Sequence, residues 1–474
     1  MSVRFPVRTE ALPVVGFAGV VVLVLATAGL PVPPAVLVPL GLTGMGVVVL
    51  AWLGLGRRTA EIPVRGWYRM AAAWCLPLLF APPLFSGDVH SYLAQGVIAA
   101  GGQDPYRLGP LAALGAGSPV VQQVSPYWQD TTAPYGPFWI AISRAIAQLA
   151  GHDLIPTLLL NRLVELAGVA LTAWALPRLA RRTGVSPGGV LWLGLLNPLV
   201  LWHVVAGAHN DGLMTGLMLA GLEIALAGLS SPPRIAAGLV LLTLAANIKI
   251  MAAAAVCCLG VVLARHVGRT AGRGAAVLLG VLGGFTGLSL AISWLTGLGL
   301  GWLGALGGSA GVHSWLAPTN QLGFLVGGLG ALAGLHLTSA AISVMVRIGA
   351  VLGAIAGARL LWSIHRGRFD PVTGLGLVFS VMLIAGPVVQ PWYLLWAILP
   401  LAASVRSDRA RRVLAGVSAV LAMALPPLGG GAAVLVEGYL VAAAFLAAFW
   451  WFGRPASPGP DVVLTVPVAG KTVE

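Results

Sequence analysis

Long hydrophobic blocks are the feature that most constrains this chain. Blocks of roughly 17–25 apolar residues recur along the sequence, and each could cross the ~30 Å hydrocarbon layer of a membrane as one helix. Only 9% of the residues are charged and the mean hydropathy is +0.93, which excludes an ordinary soluble domain. The blocks also lack the alternation of apolar and polar residues that barrel strands show. The sequence therefore predicts an all-α, polytopic transmembrane helical bundle.

Basic residues in the loops orient the predicted bundle. The formal net charge is +13, and the arginines cluster between hydrophobic blocks, as at Arg178, Arg181 and Arg182. Because cytoplasmic loops of membrane proteins are enriched in Arg and Lys, we interpret this charge as a topology signal rather than a nucleic-acid surface. Placing the clusters in the cytoplasm gives about 14 spans, with both termini cytoplasmic and the protein in the plasma membrane.

The two ends of the chain differ in composition. The first hydrophobic block begins at Leu12 and is longer than the core of a signal peptide, so it is expected to remain as a membrane anchor. We expect one transmembrane domain over residues 1–454 and a disordered cytoplasmic tail over 455–474. The three cysteines lie in apolar segments without zinc-ligand spacing and indicate no metal centre.

A polar stretch over residues 86–137 interrupts the hydrophobic pattern. The charge map places it on the extracytoplasmic side, after the third span. Val89–Ala100 has helical spacing with polar residues, which favours an interfacial helix, and Phe138–Leu149 is short enough to be interfacial or re-entrant. Five of eight aspartates fall on this side, which indicates a polar site at the outer membrane surface: Asp88, Asp104, Asp130, Asp153 and Asp211.

Asp88 is the first candidate for chemistry, because it follows a hydrophobic span by a few residues. Its carboxylate is expected at the lipid–water boundary, facing whatever the loops enclose. The alternative is a helix N-cap, a position that Asp favours, and spacing alone does not separate the two. His90 would point away from Asp88 on a helix, and an interfacial histidine with its hydrogen bonds satisfied is the simpler interpretation.

A second group of candidates could bind a phosphate. His209 precedes a predicted helix start, where unpaired amides suit an anion, although Asn210 or Asp211 is also expected to cap that helix. Lys249 lies in an apolar run at the predicted outer end of a span. A lysine whose ammonium reaches the interface is the plain interpretation, but ionisable residues within membrane segments are commonly functional, and this one could neutralise a lipid-linked phosphate.

Turns and aromatic residues on the same side could contact a sugar. Asp104-Pro105-Tyr106 and Pro134-Tyr135-Gly136-Pro137 are turn sequences, and a tyrosine adds a flat apolar face with a hydroxyl that suits stacking on sugar rings. We predict a sugar- or acceptor-binding rim formed by His90, Tyr92, Gln95, Asp104, Tyr106, Tyr135, Asn210, Asp211, His313, Asn320, Gln321, Gln390, Trp392 and Tyr393.

Four motifs in this order carry a family resemblance. They are Gly87-Asp88-Val89-His90-Ser91-Tyr92, Asp104-Pro105-Tyr106, Ala133-Pro134-Tyr135-Gly136-Pro137 with Trp139, and His209-Asn210-Asp211-Gly212. The chain resembles the actinobacterial polyprenol-phosphate-mannose-dependent α(1→6) mannosyltransferases, which belong to the GT-C class of membrane glycosyltransferases. The resemblance implies the GT-C fold and transfer of mannose from a lipid phosphate to a mannan acceptor of lipomannan and lipoarabinomannan. It also implies that Asp88 is the general base.

The implied reaction agrees with the residues. Moving a β-linked sugar into an α-linkage inverts the anomeric carbon in one displacement, which needs one base opposite the leaving group. Lys249 and His209 are the candidates for the leaving phosphate. No cofactor is expected, and a metal ion shared by Asp88 and Asp211 is the less favoured alternative. A nucleotide-sugar donor would need a cytoplasmic phosphate-binding loop, and no such motif is present.

Two other functions fit the same bulk properties. Another GT-C enzyme, such as an arabinosyl or glucosyl transferase, would share the architecture and differ only in its donor. A transporter or flippase would show inverted repeats and ionisable residues at the bilayer midplane, whereas the polar residues here gather at one surface. The expected partners are a lipid-linked donor, a lipoglycan acceptor and membrane lipids, with no nucleic acid.

Overall fold

The computed structural model describes residues 9–151, 153–268, 270–304 and 314–452. All regular secondary structure in these ranges is helical, which confirms the predicted helical class. The predicted tail and His313 lie outside the described residues. The first half of the chain contains α1 Leu12–Thr27, α2 Pro34–Leu55, α3 Val64–Leu78, α4 Asp88–Ala100, α5 Pro110–Leu114, α6 Pro119–Gln123, α7 Pro126–Gln129, α8 Pro137–Ala150, α9 Leu154–Thr183, α10 Pro187–Val190 and α11 Asp211–Leu226.

The second half continues the bundle with similar helices. Proline occupies the first turn of many of them, where its missing N–H has no partner to lose. The helices are α12 Pro232–Ala246, α13 Ala253–Val267, α14 Ala271–Thr296, α15 Pro318–Leu332, α16 Thr338–His365, α17 Pro371–Ala385, α18 Leu394–Ala402, α19 Asp408–Ala422 and α20 Ala432–Phe452.

Five described helices are long and apolar enough to cross a membrane. They are α2, α9, α14, α16 and the helical stretch Ile250–Val267 that includes α13. A bent pair of helical segments would make a sixth span, and other apolar helices have only 10–17 residues. Few side chains of α14 and α16 are buried, as expected of helices that face lipid. The predicted count of about 14 spans therefore remains a prediction.

The apolar segment between α10 and α11 is not one straight helix. It consists of two π-helical stretches, Leu191–Leu195 and Val200–Ala206, and its two halves meet at a bend of 56°. Pro198 lies at the bend and cannot donate a backbone hydrogen bond. The Asn197 side chain accepts from the Leu199 amide at 3.0 Å and so provides that amide with a hydrogen-bond partner at the bend. The bend directs the chain toward His209.

Close glycine contacts fix the helix that supports the site. A Cβ on Gly168 of α9 would lie 2.3 Å from the Gly212 carbonyl oxygen, and one on Gly216 of α11 would lie 2.3 Å from the Gly168 oxygen. Such small-residue contacts let helix backbones approach closely in lipid. The start of α11 is therefore held directly against α9. The segments that carry Asp88, His209 and Lys249 meet at this end of the bundle, which we call the site end.

Candidate active site

Asp88 lies at the first position of α4, at the end of the irregular segment that follows α3. The cap position belongs to Gly87, and the Asp88 side chain makes no cap hydrogen bond, so the N-cap interpretation is wrong. Ser86 Oγ donates to Asp88 Oδ1 at 2.9 Å, and the Asp88 amide donates back to Ser86 Oγ at 3.2 Å. The carboxylate is thus held by its own turn through Oδ1, and its second oxygen has a different neighbour.

His209 is the neighbour of that second oxygen. Its Nδ1 lies 3.2 Å from Asp88 Oδ2, and its ring is stacked against Trp392 with centroids 3.8 Å apart. The His209 side chain is fully buried, whereas 22% of the Asp88 side chain is exposed. Asp88 is therefore the member of the pair that a substrate can reach, and His209 is the fixed support behind it.

A second carboxylate, Asp211, holds Lys249. Lys249 Nζ lies 2.5 Å from Asp211 Oδ2, and Trp396 Nε1 donates to Asp211 Oδ1 at 2.7 Å. The Asp211 side chain is fully buried and 10% of the Lys249 side chain is exposed. Since an ammonium group has three N–H donors, this pairing fixes Lys249 and leaves donors for another anion.

Two tyrosine rings complete the surroundings of Lys249. The Nζ lies 5.0 Å from the ring centroid of Tyr393 and 5.8 Å from that of Tyr135, distances typical of cation–π contacts. The Tyr135 turn packs on the lysine segment, because the Gly136 amide donates to the Ile248 carbonyl at 3.1 Å. Tyr92 contacts Tyr135 edge to face at 5.4 Å. Residues far apart in the sequence thus form one polar and aromatic pocket.

The pocket sets the charge state of its groups. Burial by itself raises the pKa of Asp88, but the nearby His209, Lys249 and Ser86 lower it below the ordinary value, so the carboxylate is ionised at neutral pH. Burial likewise opposes the charge of Lys249, yet Asp211 and Asp88 leave its pKa raised, so it is an ammonium. Burial and Asp88 raise the pKa of Tyr135 well above its usual range, and its hydroxyl remains a donor. A proton acceptor and a cation therefore share one site.

Two family profiles match the chain. The profile described as alpha-(1->6)-mannopyranosyltransferase, N-terminal domain, matches residues 11–265, and the MptB C-terminal domain matches residues 319–454. The chain belongs to the alpha-(1->6)-mannopyranosyltransferase family. The family resemblance predicted from the motifs is thereby confirmed.

Curated relatives of this mannopyranosyltransferase family are similar over most of the chain. An alpha-(1->6)-mannopyranosyltransferase of Mycobacterium tuberculosis is 37% identical over 420 residues, covering 76% of this chain and 70% of the relative. Alpha-(1->6)-mannopyranosyltransferase B of Corynebacterium glutamicum is 34% identical over 390 residues, covering 76% and 64%. Alpha-(1->6)-mannopyranosyltransferase A of M. tuberculosis is 34% identical over 389 residues, covering 79% and 72%. No solved structure matches.

The start of α11 differs from the prediction. Asn210 makes no side-chain cap hydrogen bond, and Asp211 binds Lys249 and Trp396, so the prediction that one of them caps the helix is wrong. Glu165 of α9 accepts from the Leu213 amide at 2.9 Å instead, and the Gly212 amide donates to the His209 carbonyl. These amides are already paired, and Lys249 is the better phosphate candidate. Asn210 is fully buried, and neither polar atom of its side chain has a hydrogen-bond partner among the described residues.

Other predicted rim residues lie in the helices and turns near α4. His90 Nδ1 lies 3.2 Å from Gln123 Oε1, which is the satisfied contact expected of an interfacial histidine. Asp104 accepts from the Tyr106 amide at 2.9 Å, so this motif is a turn. Tyr106 and Gln95 are buried, and the Tyr106 hydroxyl and Gln95 Oε1 have no partner among the described residues. In the described ranges, His90, Gln95, Asp104 and Tyr106 have no hydrogen bond or ion pair with Asp88, His209 or Lys249.

The predicted rim residues of the second half divide into two groups. Trp392 and Tyr393 lie in the pocket, whereas Asn320 is fully buried and donates to the carbonyls of Ser314 and Pro387 at 2.7 and 2.8 Å. Gln321 donates to the Trp315 carbonyl. Gln390 immediately precedes the short helix Pro391–Tyr393 that carries the pocket aromatics. The two amide side chains thus fasten loops and are not directed at Asp88.

Four residues escaped the sequence reasoning. Trp396 holds Asp211, and His203 lies with ring centroids 5.1 Å from Trp392 and 6.1 Å from His209. Arg162 and Glu165 are fully or almost fully buried in α9. The signal for the last two was present, because ionisable residues inside a membrane span are rarely incidental. Within the described parts of the chain, no three His, Cys, Asp or Glu side chains are placed to hold a metal ion.

Proposed function

We propose that this protein is an inverting mannosyltransferase that moves mannose from polyprenyl phosphomannose to an α(1→6)-mannan acceptor of a cell-envelope lipoglycan. The observation that carries the proposal is that one pocket holds both an ionised, reachable carboxylate, Asp88, and a buried cation, Lys249. Membership of the alpha-(1->6)-mannopyranosyltransferase family supplies the sugar and the linkage. The bundle of apolar helices suits a donor with a lipid tail.

The chemistry follows from these two groups. Asp88 takes the proton of an acceptor hydroxyl while the hydroxyl oxygen bonds to the anomeric carbon of mannose. The bond from that carbon to the phosphate oxygen breaks at the same time. Polyprenyl phosphate leaves with the bonding electron pair. Lys249 stabilises the negative charge that develops on the phosphate, and its burial strengthens this effect, while the fully buried His209 holds Asp88 from behind. Because a single displacement occurs, a β-linked donor gives an α-linked product.

The pocket aromatics are proposed to orient the sugars. Tyr135, Tyr393 and Trp392 border Lys249 and His209, and Tyr92 supports Tyr135. Flat aromatic faces stack on the apolar faces of sugar rings, and the protonated Tyr135 hydroxyl can donate to a sugar oxygen. Lys249 performs the phosphate neutralisation, and no cofactor is part of the proposed reaction.

A donor comparison tests the proposed function. Purified protein with a short α(1→6)-mannoside acceptor is expected to use polyprenyl phosphomannose, in EDTA as well as in magnesium. Polyprenyl phosphoarabinose, polyprenyl phosphoglucose and GDP-mannose are expected to give less than about a hundredth of that rate, because a site built on hydrogen bonds rejects a donor that leaves them unpaired. Product linkage is read by α-mannosidase digestion and NMR. Faster transfer from any other donor would contradict the proposal, and loss of transfer in EDTA would reveal a metal requirement.

The proposed location of the reaction is the extracytoplasmic face of the plasma membrane, since the arginine-rich loops belong inside. In a variant lacking Cys75, Cys257 and Cys258, a cysteine replacing exposed Gly117 of the site-end loops is expected to react with an impermeant thiol reagent in intact cells. A cysteine replacing exposed Ser230, at the opposite end of α11, is expected to react only after permeabilisation. The reverse pattern would place the site in the cytoplasm.

A further inference from the structure

Arg162 of α9 is a buried cation whose hydrogen bonds, within the described part of the chain, all go to backbone carbonyls. It is 2% exposed and lies about 12 Å along the helix from its first residue, at ~1.5 Å per residue. Its guanidinium donates to the carbonyl oxygens of Leu79 at 2.8 Å, Pro82 at 3.2 Å, Val205 at 3.2 Å and Ala206 at 2.6 Å. Among the described residues, no carboxylate lies within salt-bridge distance of it.

The four carbonyls belong to the two segments that carry the proposed catalytic pair. Leu79 and Pro82 lie in the irregular stretch that leads from α3 to Asp88. Val205 and Ala206 lie at the end of the bent π-helical segment, shortly before His209. These two segments are more than 110 residues apart in the sequence, and the Arg162 side chain joins them.

Each segment also passes through a strained residue between Arg162 and the site. Phe85 has φ +67° and Ala208 has φ +52°, and these are the non-glycine residues with positive φ in the described part of the chain. L-residues with side chains rarely adopt this backbone conformation, and they keep it only where the surroundings impose it. The carbonyl contacts of Arg162 lie a few residues before each strained position and supply such a constraint.

The guanidinium is suited to this arrangement and an ammonium is not. Arginine presents five donors in a rigid planar fork, and here three nitrogens reach four acceptors on two segments. Lysine would direct its donors from one point and could not span both segments. The carbonyls at helix ends would otherwise lack partners in an apolar interior.

We propose that Arg162 is a positioning residue that clamps the segment before Asp88 to the segment before His209 and so fixes the 3.2 Å contact between their side chains. The proposal rests on the proposed function in one respect, because the clamp matters for transfer only if Asp88 acts as the base. Glu165, one helical turn further along α9, secures the start of α11 through the Leu213 amide. The same face of α9 therefore fastens three segments of the site end.

The test compares Arg162→Lys with Arg406→Lys. Arg406 donates to the carbonyl of Thr183 at 2.6 Å, at the opposite end of α9, and provides a matched arginine-to-carbonyl contact away from the site. Arg162→Lys is expected to lower kcat about 10- to 100-fold while the KM values stay within about twofold, because a misplaced base slows the chemical step without removing substrate contacts. Arg406→Lys is expected to stay within about twofold of the unmodified protein in both parameters.

Two further readouts separate positioning from general damage. Loosening the pair removes the influence of His209 that lowers the pKa of Asp88, so the acid limb of the kcat/KM profile should move to higher pH in Arg162→Lys only. Hydrogen exchange should accelerate in residues 79–90 and 203–209 and remain unchanged near residue 183. If Arg162→Lys does not accumulate, Arg162→Gln removes the buried charge and allows the same comparison.

The outcomes are distinguishable. Transfer by Arg162→Lys equal to that of Arg406→Lys, or unchanged exchange in both segments, would overturn the clamp. If Asp88→Asn keeps transfer, the base assignment fails, and the hydrogen-exchange comparison still decides whether Arg162 joins the two segments. The proposal is supported by a loss of kcat together with faster hydrogen exchange in residues 79–90 and 203–209 and an acid limb moved to higher pH.

Discussion

Asp88→Asn is expected to lower kcat for mannosyl transfer by about 10²- to 10⁴-fold, the range for losing a positioned general base. Asparagine has nearly the same shape and can still accept from Ser86, but it cannot take the proton of the acceptor hydroxyl. The measurement is transfer of labelled mannose from polyprenyl phosphomannose to a short α(1→6)-mannoside by purified protein. Binding of the acceptor should change little, so the loss should lie in kcat.

The matched control for this substitution is Asp130→Asn. Asp130 is an exposed aspartate of the same polar stretch, and its replacement is expected to change transfer by less than about twofold. Equal protein levels and equal thermal midpoints in detergent would show that both variants fold. Near-normal transfer by Asp88→Asn would remove Asp88 from the role of base, whatever the control shows.

Lys249→Met is expected to produce the second large effect, a loss of at least about 10²-fold in transfer. The substitution removes the cation proposed to stabilise the leaving phosphate, an interaction of the type that contributes about 2.7–4 kcal/mol to the transition state. It also leaves Asp211 buried with Trp396 as its remaining partner, which costs about 3–5 kcal/mol of stability. Transfer and thermal midpoint are measured on the same preparation.

A double variant separates these two consequences. Adding Asp211→Asn to Lys249→Met removes the unpaired buried carboxylate and keeps an oxygen that can accept from Trp396. The double variant is therefore expected to recover most of the thermal midpoint while transfer stays low. Recovery of transfer together with stability would show that Lys249 serves only as the partner of Asp211.

Local reasoning placed several residues of this site correctly in one region. Asp88, His209, Lys249, Tyr135, Trp392 and Tyr393 were all predicted on one side of the bundle, and the structure brings them into one pocket. The reason is that each lies at the end of a hydrophobic block, and alternating spans return such ends to the same side. The same reasoning could not exclude Asn320, because one of its two backbone acceptors, the Pro387 carbonyl, lies 67 residues away in the sequence.

Roles within the pocket depended on partners distant in sequence. An aspartate next to a helix start predicts a cap, but Asp211 is paired with Lys249 across 38 positions and with Trp396 across 185. The cap is supplied by Glu165, a residue of another helix that the local pattern does not indicate. Similarly, an apolar run does not indicate where a helix bends. The bend of 56° before His209 places that residue in contact with Asp88.

By itself, the sequence determined that the chain lies in a membrane and that its fold is helical. Apolar blocks long enough to cross a membrane, without the alternation of barrel strands, can pair their backbone hydrogen-bonding groups only as helices. Its motifs determined the family. The tertiary structure alone decided that Asp88 stays partly exposed while Asp211 is buried against a lysine, and it revealed the arginine that joins the segments before Asp88 and His209. Hydropathy acts residue by residue and can be read along the chain, whereas hydrogen bonds and ion pairs depend on distances of about 3 Å between residues that only folding brings together.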